Sequence, residues 1–100
     1  MVGGGPAGLT AAIFTSRAGL STLLVTEDIG GLMFWTEAIE NYPGMQKVSS
    51  RELINQMVKQ AKGFGTEVVK GTVRKVERTK SGIEIITDAG KLEGKSLIIA

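Results

Sequence analysis

The glycines at positions 3, 5 and 8 constrain this chain more than any other feature: in Met1-Val-Gly-Gly-Gly-Pro-Ala-Gly8 they fit the pattern G-x-G-x-x-G. That spacing carries structural meaning only between a strand and a helix. The helix is legible. Leu9, Ala12, Ile13 and Ala18 can share one apolar face, Pro6 suits a first helical turn, and Gly19 supplies a C-terminal stop. Ser21-Thr-Leu-Leu-Val25 then reads as a buried strand. The order glycine turn, helix, strand is the second half of a βαβ unit. In such a unit Gly3 allows the tight turn, Gly5 lets a pyrophosphate reach the backbone, and Gly8 lets helix and strand approach closely. Free N–H groups at the helix start face the phosphates. Read alone, Gly3 to Gly5 is equally a flexible tail; the helix and strand at the right distance favour phosphate binding.

The strand before the glycines is reduced to Met1 and Val2. In a parallel sheet this strand is central, so its shortness is expected to leave both neighbouring edges open. Lys95-Ser-Leu-Ile-Ile-Ala100 reads as a further buried strand with no loop after it. The expectation is therefore an excerpt, truncated at both ends.

Composition narrows the function classes. The chain has no cysteine and no histidine, which excludes disulfides, thiol catalysis and cysteine or histidine metal ligation within these residues. A formal net charge of +2, with acids and bases interspersed, gives no basic stripe for nucleic acid and no polybasic membrane patch. No apolar run reaches membrane-spanning length and no signal peptide is evident, so a cytoplasmic protein is expected.

Beyond the first strand, Thr26, Glu27 and Asp28 fill the region where a dinucleotide fold places an acidic residue for ribose hydroxyls. Glu27 is the candidate carboxylate; a solvated strand end is the plain alternative. Gly30-Gly31 permits close backbone approach. Phe34 and Trp35 are adjacent aromatics in an expected loop, able to cover a ligand or simply to pack. Asn41 can bond a ligand through its amide or close its own turn before Tyr42-Pro-Gly44. Ser49 and Glu52 form an S-x-x-E capping box ahead of a helix whose apolar stripe is Leu53, Ile54, Met57, Val58 and Ala61. Lys59 and Lys62 suit its C-terminal dipole, and Gly63 or Gly65 ends it. Thr66–Val69 is a short strand. Thr72–Thr79, Ile83–Thr87 and Lys91–Glu93 then form an antiparallel meander, with Arg74, Lys75, Glu77 and Arg78 on a solvated face.

Taken together, Gly3-Gly-Gly-Pro-Ala-Gly8-Leu-Thr-Ala-Ala12, Arg17-Ala-Gly-Leu20, Gly30-Gly31, Glu40-Asn-Tyr-Pro-Gly44, Glu52-Leu53, Gln60-Ala61, Phe64-Gly65 and Ser96-Leu-Ile-Ile-Ala100 resemble the N-terminal FAD-binding part of the thioredoxin reductases. These are flavoproteins with two dinucleotide-binding domains. The resemblance runs along nearly the whole chain, and the Gly-Gly plus Glu-Asn-Tyr-Pro-Gly pair is its most specific part. It implies an α/β fold: a Rossmann-like three-layer ββα domain with a parallel sheet, helices on one side and a small meander on the other. Residues 1–100 would be part of the FAD domain, with the NAD(P)H domain absent.

The resemblance implies FAD as cofactor. Gly3, Gly5, Pro6, Ala7 and Gly8 would surround the pyrophosphate. Thr26 by its hydroxyl, or Glu27 by its carboxylate, would meet the ribose. Gly31, Leu32 and Asn41 would lie near the flavin, Thr72 and Val73 would present backbone to the adenine, and Ala100 would approach from the last strand. For a whole relative it implies an NADPH domain with a Cys-x-x-Cys pair, a thioredoxin-like dithiol partner or another acceptor, and frequent dimerisation. It gives no catalytic residue to this chain. The sequence departs from the family at Leu32, where glutamine is usual, and at the bulky Phe34-Trp35. The departures leave open an acceptor other than thioredoxin. Two further readings stand beside this one: an NAD-binding Rossmann domain of a dehydrogenase, and an inactive truncated module.

Overall fold

Val2 joins two strands that sequence alone leaves apart. In the computed structural model, which describes all 100 residues, the chain forms α1 (Pro6–Arg17), β1 (Leu23–Thr26), a 3-10 helix (Gly31–Trp35), β2 (Ala38–Ile39) and β3 (Val48–Ser49). These are followed by α2 (Ser50–Gly63), β4 (Glu67–Lys70), β5 (Val73–Arg78), β6 (Ile83–Thr87) and β7 (Gly90–Gly94). β1 and β4 pair in parallel, Leu24 opposite Val68. Val2 bridges Val25 on one side and Ile99 on the other, both in parallel. Val25 N–H donates to Met1 O and Gly3 N–H to Val25 O, each at 2.9 Å. On the far side Val2 N–H donates to Ile98 O and Ala100 N–H to Val2 O, again at 2.9 Å. The open edges expected beside the short first strand are therefore joined by backbone, because a single residue suffices to bridge both neighbours. The parallel order is β4, β1, residues 1–3, residues 98–100. The chain turns to opposite sides of its first strand, and ligands of such sheets bind beyond the strands' carboxyl ends at that switch point.

The helices cover one face of the sheet. Leu9 of α1, Leu24 of β1, Val48 of β3 and Leu53, Ile54 and Met57 of α2 form one buried cluster. Side chains alternate along a strand, so Val25 turns away from Leu24; it too is buried, so both faces of β1 are covered. Gly19, with φ +80°, ends α1 as expected: Gly19 N–H reaches Ser16 O at 2.9 Å and Leu20 N–H reaches Thr15 O at 3.1 Å. Ala18, expected on the apolar face, lies exposed past the last helical residue. Ser16 is buried instead, its hydroxyl 2.7 Å from that of Thr66.

α2 buries the stripe read from its spacing, with Val58 half-buried. Its N-terminus differs from expectation. Ser49 is the cap residue by position but makes no side-chain cap bond. Its backbone belongs to the β2–β3 pair, opposite Ala38. The neighbouring Ser50 hydroxyl donates to Thr36 O instead and ties the helix start to the end of the 3-10 helix. Two-residue strands such as β2 and β3 are too short to leave an alternating signal, which is why that pair was not legible. At the other end of α2, Gly65 has φ +97° and Thr66 N–H returns to Ala61 O at 3.0 Å.

β5, β6 and β7 form the antiparallel meander, in that order, with a bulge between Val73 and Lys75. Lys75 and Glu77, two apart on one strand face, pair at 2.6 Å, and the Lys75 hydrogen bond and charge hold the Glu77 carboxyl below the usual carboxylate range. The run 95–100 is not the buried strand its composition promised. Ile99 is 76% exposed, with nothing packed over its side chain, and the run's only regular pairing is the bridge of Ile99 to Val2 on one edge. No helix is long and apolar enough to cross a membrane.

The cap geometry yields a test. Ser50→Ala leaves the Thr36 carbonyl without its donor and is expected to cost about 1–2 kcal/mol, whereas Ser49→Ala and Glu52→Ala each cost less than about 0.5 kcal/mol. Urea denaturation of the three variants checks this; a larger loss at Ser49 than at Ser50 would contradict the structure.

Candidate dinucleotide site

The glycines that follow Val2 do not share one task. A β-carbon at Gly3, whose φ is +109°, would stand 2.0 Å from the carbonyl oxygen of Ala100. One at Gly8 would stand 1.9 Å from the carbonyl oxygen of Gly3, and one at Gly4 2.6 Å from the Thr26 hydroxyl. Packing thus requires glycine at all three. At Gly5 a β-carbon would meet nothing within 4 Å. Gly5 is also the N-cap of α1, in extended conformation with φ −75°, and Pro6 follows in the first turn. With ordinary φ and open space, neither backbone conformation nor packing requires glycine at position 5.

The open space lies at the N-terminus of a twelve-residue helix with no acidic residue in its first turn. Leu9 N–H is the first to find a helical acceptor, Gly5 O at 2.9 Å. The N–H groups of Ala7 and Gly8 precede it and have no intrahelical partner. They and the helix dipole make this end attractive to anions.

The second glycine pair is fastened to the first. Gly30 N–H donates to Gly4 O at 2.8 Å. A β-carbon on Gly31 would lie 3.6 Å from the α-carbon of Gly5. Gly30 and Gly31 both have positive φ, +97° and +53°, and this double turn launches the 3-10 helix beside the loop. Leu32 and Asn41 are exposed, Leu32 on that helix and Asn41 after β2.

At the carboxyl end of β1 the two ribose candidates separate. Thr26 is buried, and its hydroxyl donates to Asp28 O at 2.8 Å. Glu27 is exposed and lines a cavity of about 470 Å³ with Asp28, Lys70, Gly71, Thr72, Asp88 and Ala89. Thr72 reaches the same cavity, but its backbone is already engaged: Thr72 N–H donates to Asp88 Oδ1 at 2.9 Å, and Asp88 N–H to Thr72 O at 3.2 Å. Val73 follows at the start of β5, paired with Thr87. Ala100 stands at the opposite side of the switch point, its carbonyl oxygen against Gly3. Gly4 and Asp88 are the site residues that sequence reasoning passed over. Gly4 is the unlettered position of the motif, and Asp88 read only as a turn residue, because its partner lies sixteen positions away.

Comparison with known proteins bears on the family and the fold. A sequence family described as pyridine nucleotide-disulphide oxidoreductase matches residues 1–100. The chain belongs to that family. Among its relatives within the pyridine nucleotide-disulphide oxidoreductases, the thioredoxin reductases of Bacillus subtilis and Aquifex aeolicus are each 42% identical to it over its full length. The chain spans about a third of those proteins, 32% of each. The crystal structure of Lactococcus lactis thioredoxin reductase superposes on 95% of the chain and 32% of its own length, with a TM-score of 0.90 and 38% identity. The fold of the chain is thus the Rossmann-like one of its thioredoxin reductase neighbours.

The division of labour among the glycines is measurable. Gly5→Ala is expected to cost only about 1 kcal/mol, the loss of a glycine N-cap with no clash. Gly3→Ala and Gly8→Ala force a β-carbon into backbone oxygen and should cost about 3 kcal/mol or more. Thermal melts of the three variants decide it, and equal losses at all three would contradict the assignment.

Proposed function

We propose that residues 1–100 are the FAD-binding part of an NAD(P)H-dependent flavoprotein oxidoreductase of the thioredoxin reductase type. In the whole protein, electrons would pass from NADPH through FAD to a disulfide, with a thioredoxin-like dithiol protein as the partner. The observation that carries this reading is Gly5: the one loop glycine that packing does not require, at a helix N-terminus with free N–H groups. A diphosphate fits there, because it brings negative charge and needs close approach to backbone.

The residues around the loop suit the remaining parts of FAD. Gly3 and Gly8 hold the loop in shape, Pro6 presets the first helical turn, and the Ala7 and Gly8 amides would donate to the pyrophosphate. Glu27 is the better ribose ligand of the two candidates, since its carboxylate is exposed in the cavity while the Thr26 hydroxyl is spent on Asp28. Adenine would lie along the Thr72–Val73 backbone. Asp88 occupies the backbone groups of Thr72, so the free contact falls to Val73. Gly31, Leu32 and Asn41 would face the flavin side, and Ala100 would close the opposite edge. When bound, the flavin would supply two-electron transfer between a reduced nicotinamide and a disulfide. The protein's share is to bind, orient and shield it. The NADPH and dithiol stations would lie in the two thirds of such relatives that the chain does not span.

The test is FAD titration of the purified chain followed by flavin fluorescence, with Gly5→Glu as control. Wild type is expected to bind. Gly5→Glu should weaken binding by at least about 100-fold, since juxtaposed like charges cost several kcal/mol, while the chain stays folded with a melting temperature lowered by no more than the loss of a helix N-cap. Unchanged FAD affinity in Gly5→Glu would overturn the pyrophosphate assignment.

A further inference from the structure

The second glycine pair is braced from behind by an aromatic ring. Phe34 lies one 3-10 turn beyond Gly31 and lays the edge of its ring over Gly30, in the place that a β-carbon there would take. The Arg51 guanidinium, on the first turn of α2, stands 5.7 Å from the centre of the same ring, within cation–π range. Phe34 is 40% exposed and stands outside the buried cluster, whereas its neighbour Met33 packs on that cluster. Met33 thus ties the 3-10 helix to the core, and Phe34 serves the glycine turn. Gly30 in its turn holds the first loop, its N–H donating to Gly4 O at 2.8 Å. The Gly4 carbonyl and the Gly5 N–H belong to one trans peptide plane and point in opposite directions. Fixing the carbonyl on Gly30 therefore fixes where the Gly5 N–H points. That N–H has no acceptor within the chain.

We propose that Phe34 is a positioning residue for the diphosphate: through Gly30 and Gly4 it orients the Gly5 amide as a donor to the anion. This rests on the FAD reading above and adds to it a residue that acts through backbone rather than on the ligand. Three amides then serve the diphosphate. Those of Ala7 and Gly8 are aimed by α1 itself. The Gly5 amide precedes the helix, between two glycines of the loop and Pro6, and the brace aims it. Gly30 has φ +97°, and a glycine so placed has wide conformational freedom unless something packs against it. The Phe34 ring restricts that freedom, and Arg51 holds the ring from α2. A hydrogen bond to a charged oxygen is about twice as strong as a neutral one, so loss of the Gly5 donor is large enough to measure.

The experiment titrates FAD and, separately, ADP into the chain and its Phe34→Ala and Phe34→Leu variants by calorimetry, and follows amide hydrogen exchange in the free chains. ADP carries the diphosphate without the flavin. Phe34→Ala is expected to weaken ADP and FAD by the same factor, about tenfold, the value of one hydrogen bond to a charged group. Exchange of the Gly30 amide should quicken, while that of the β5–β6 ladder stays unchanged. Phe34→Leu keeps branched carbons over Gly30 and should retain most of the ADP affinity. Equal ADP affinity in wild type and Phe34→Ala, or a loss confined to FAD, overturns the positioning assignment and leaves the FAD reading standing. So does a Phe34→Ala chain that fails to fold or exchanges faster throughout, since the ring would then be a folding residue. Failure of the wild-type chain to bind either ligand overturns the FAD reading, and the positioning assignment falls with it.

Discussion

The carbonyl oxygen of Gly3 stands where a β-carbon of residue 8 would be. That close approach sets where α1 begins relative to the sheet. Gly3 is held from below by its N–H bond to Val25 O, and Val2 is held on its other side by the 98–100 segment. Gly8 therefore delivers the first turn of α1 to the carboxyl edge of the parallel strands, beside Thr26 and Ala100. Add one methyl at residue 8 and the helix must withdraw or the strand must bend. The free N–H groups, the open space at Gly5 and the docking of Gly30 on Gly4 all follow from that placement.

The same constraint explains why the site is assembled from far-apart parts of the chain. The strand remnant 1–3 has β1 on one side and residues 98–100 on the other. Each of those strands ends at the same edge, and each brings its following or final residues there: Glu27 after β1, Gly71 and Thr72 after β4, Ala100 opposite Gly3. Behind this edge, Leu9, Leu24, Ile54 and Met57 bury apolar surface. Burial of this kind is worth about 25 cal/mol per Å² of apolar area. The core stabilises the scaffold and leaves this edge open to solvent.

Local chemistry was legible in the sequence. Gly19 and Gly65 stop helices because both take left-handed φ, and the stripe Leu53, Ile54, Met57 and Ala61 buries as its spacing requires. The hairpin Val73–Thr87 and its return strand also follow from alternation and turn residues. What failed depended on partners distant in sequence. Ser50 rather than Ser49 ties down α2, because β2 takes the Ser49 backbone. Ile98 and Ile99 look like core residues but lie on an edge segment whose side chains no other part of the chain covers fully. In the candidate site, the turn at Gly3 and the close approach at Gly8 were readable from the glycine spacing together with the helix and strand that follow it. The split between Thr26 and Glu27 was not, since it turns on a hydrogen bond to Asp28 and on which side chain faces the cavity. The Asp88–Thr72 pair was invisible for the same reason.

The central claim is that a diphosphate sits at the start of α1. The most direct measurement is the change in backbone amide resonances of the nitrogen-15-labelled chain on titration with FAD. The account predicts the largest shifts at Gly5, Ala7 and Gly8, with further shifts at Gly31 and Thr72. The far turn of the meander, Lys80 to Gly82, should stay still. Silent glycine-loop amides with shifts confined to the meander would contradict it.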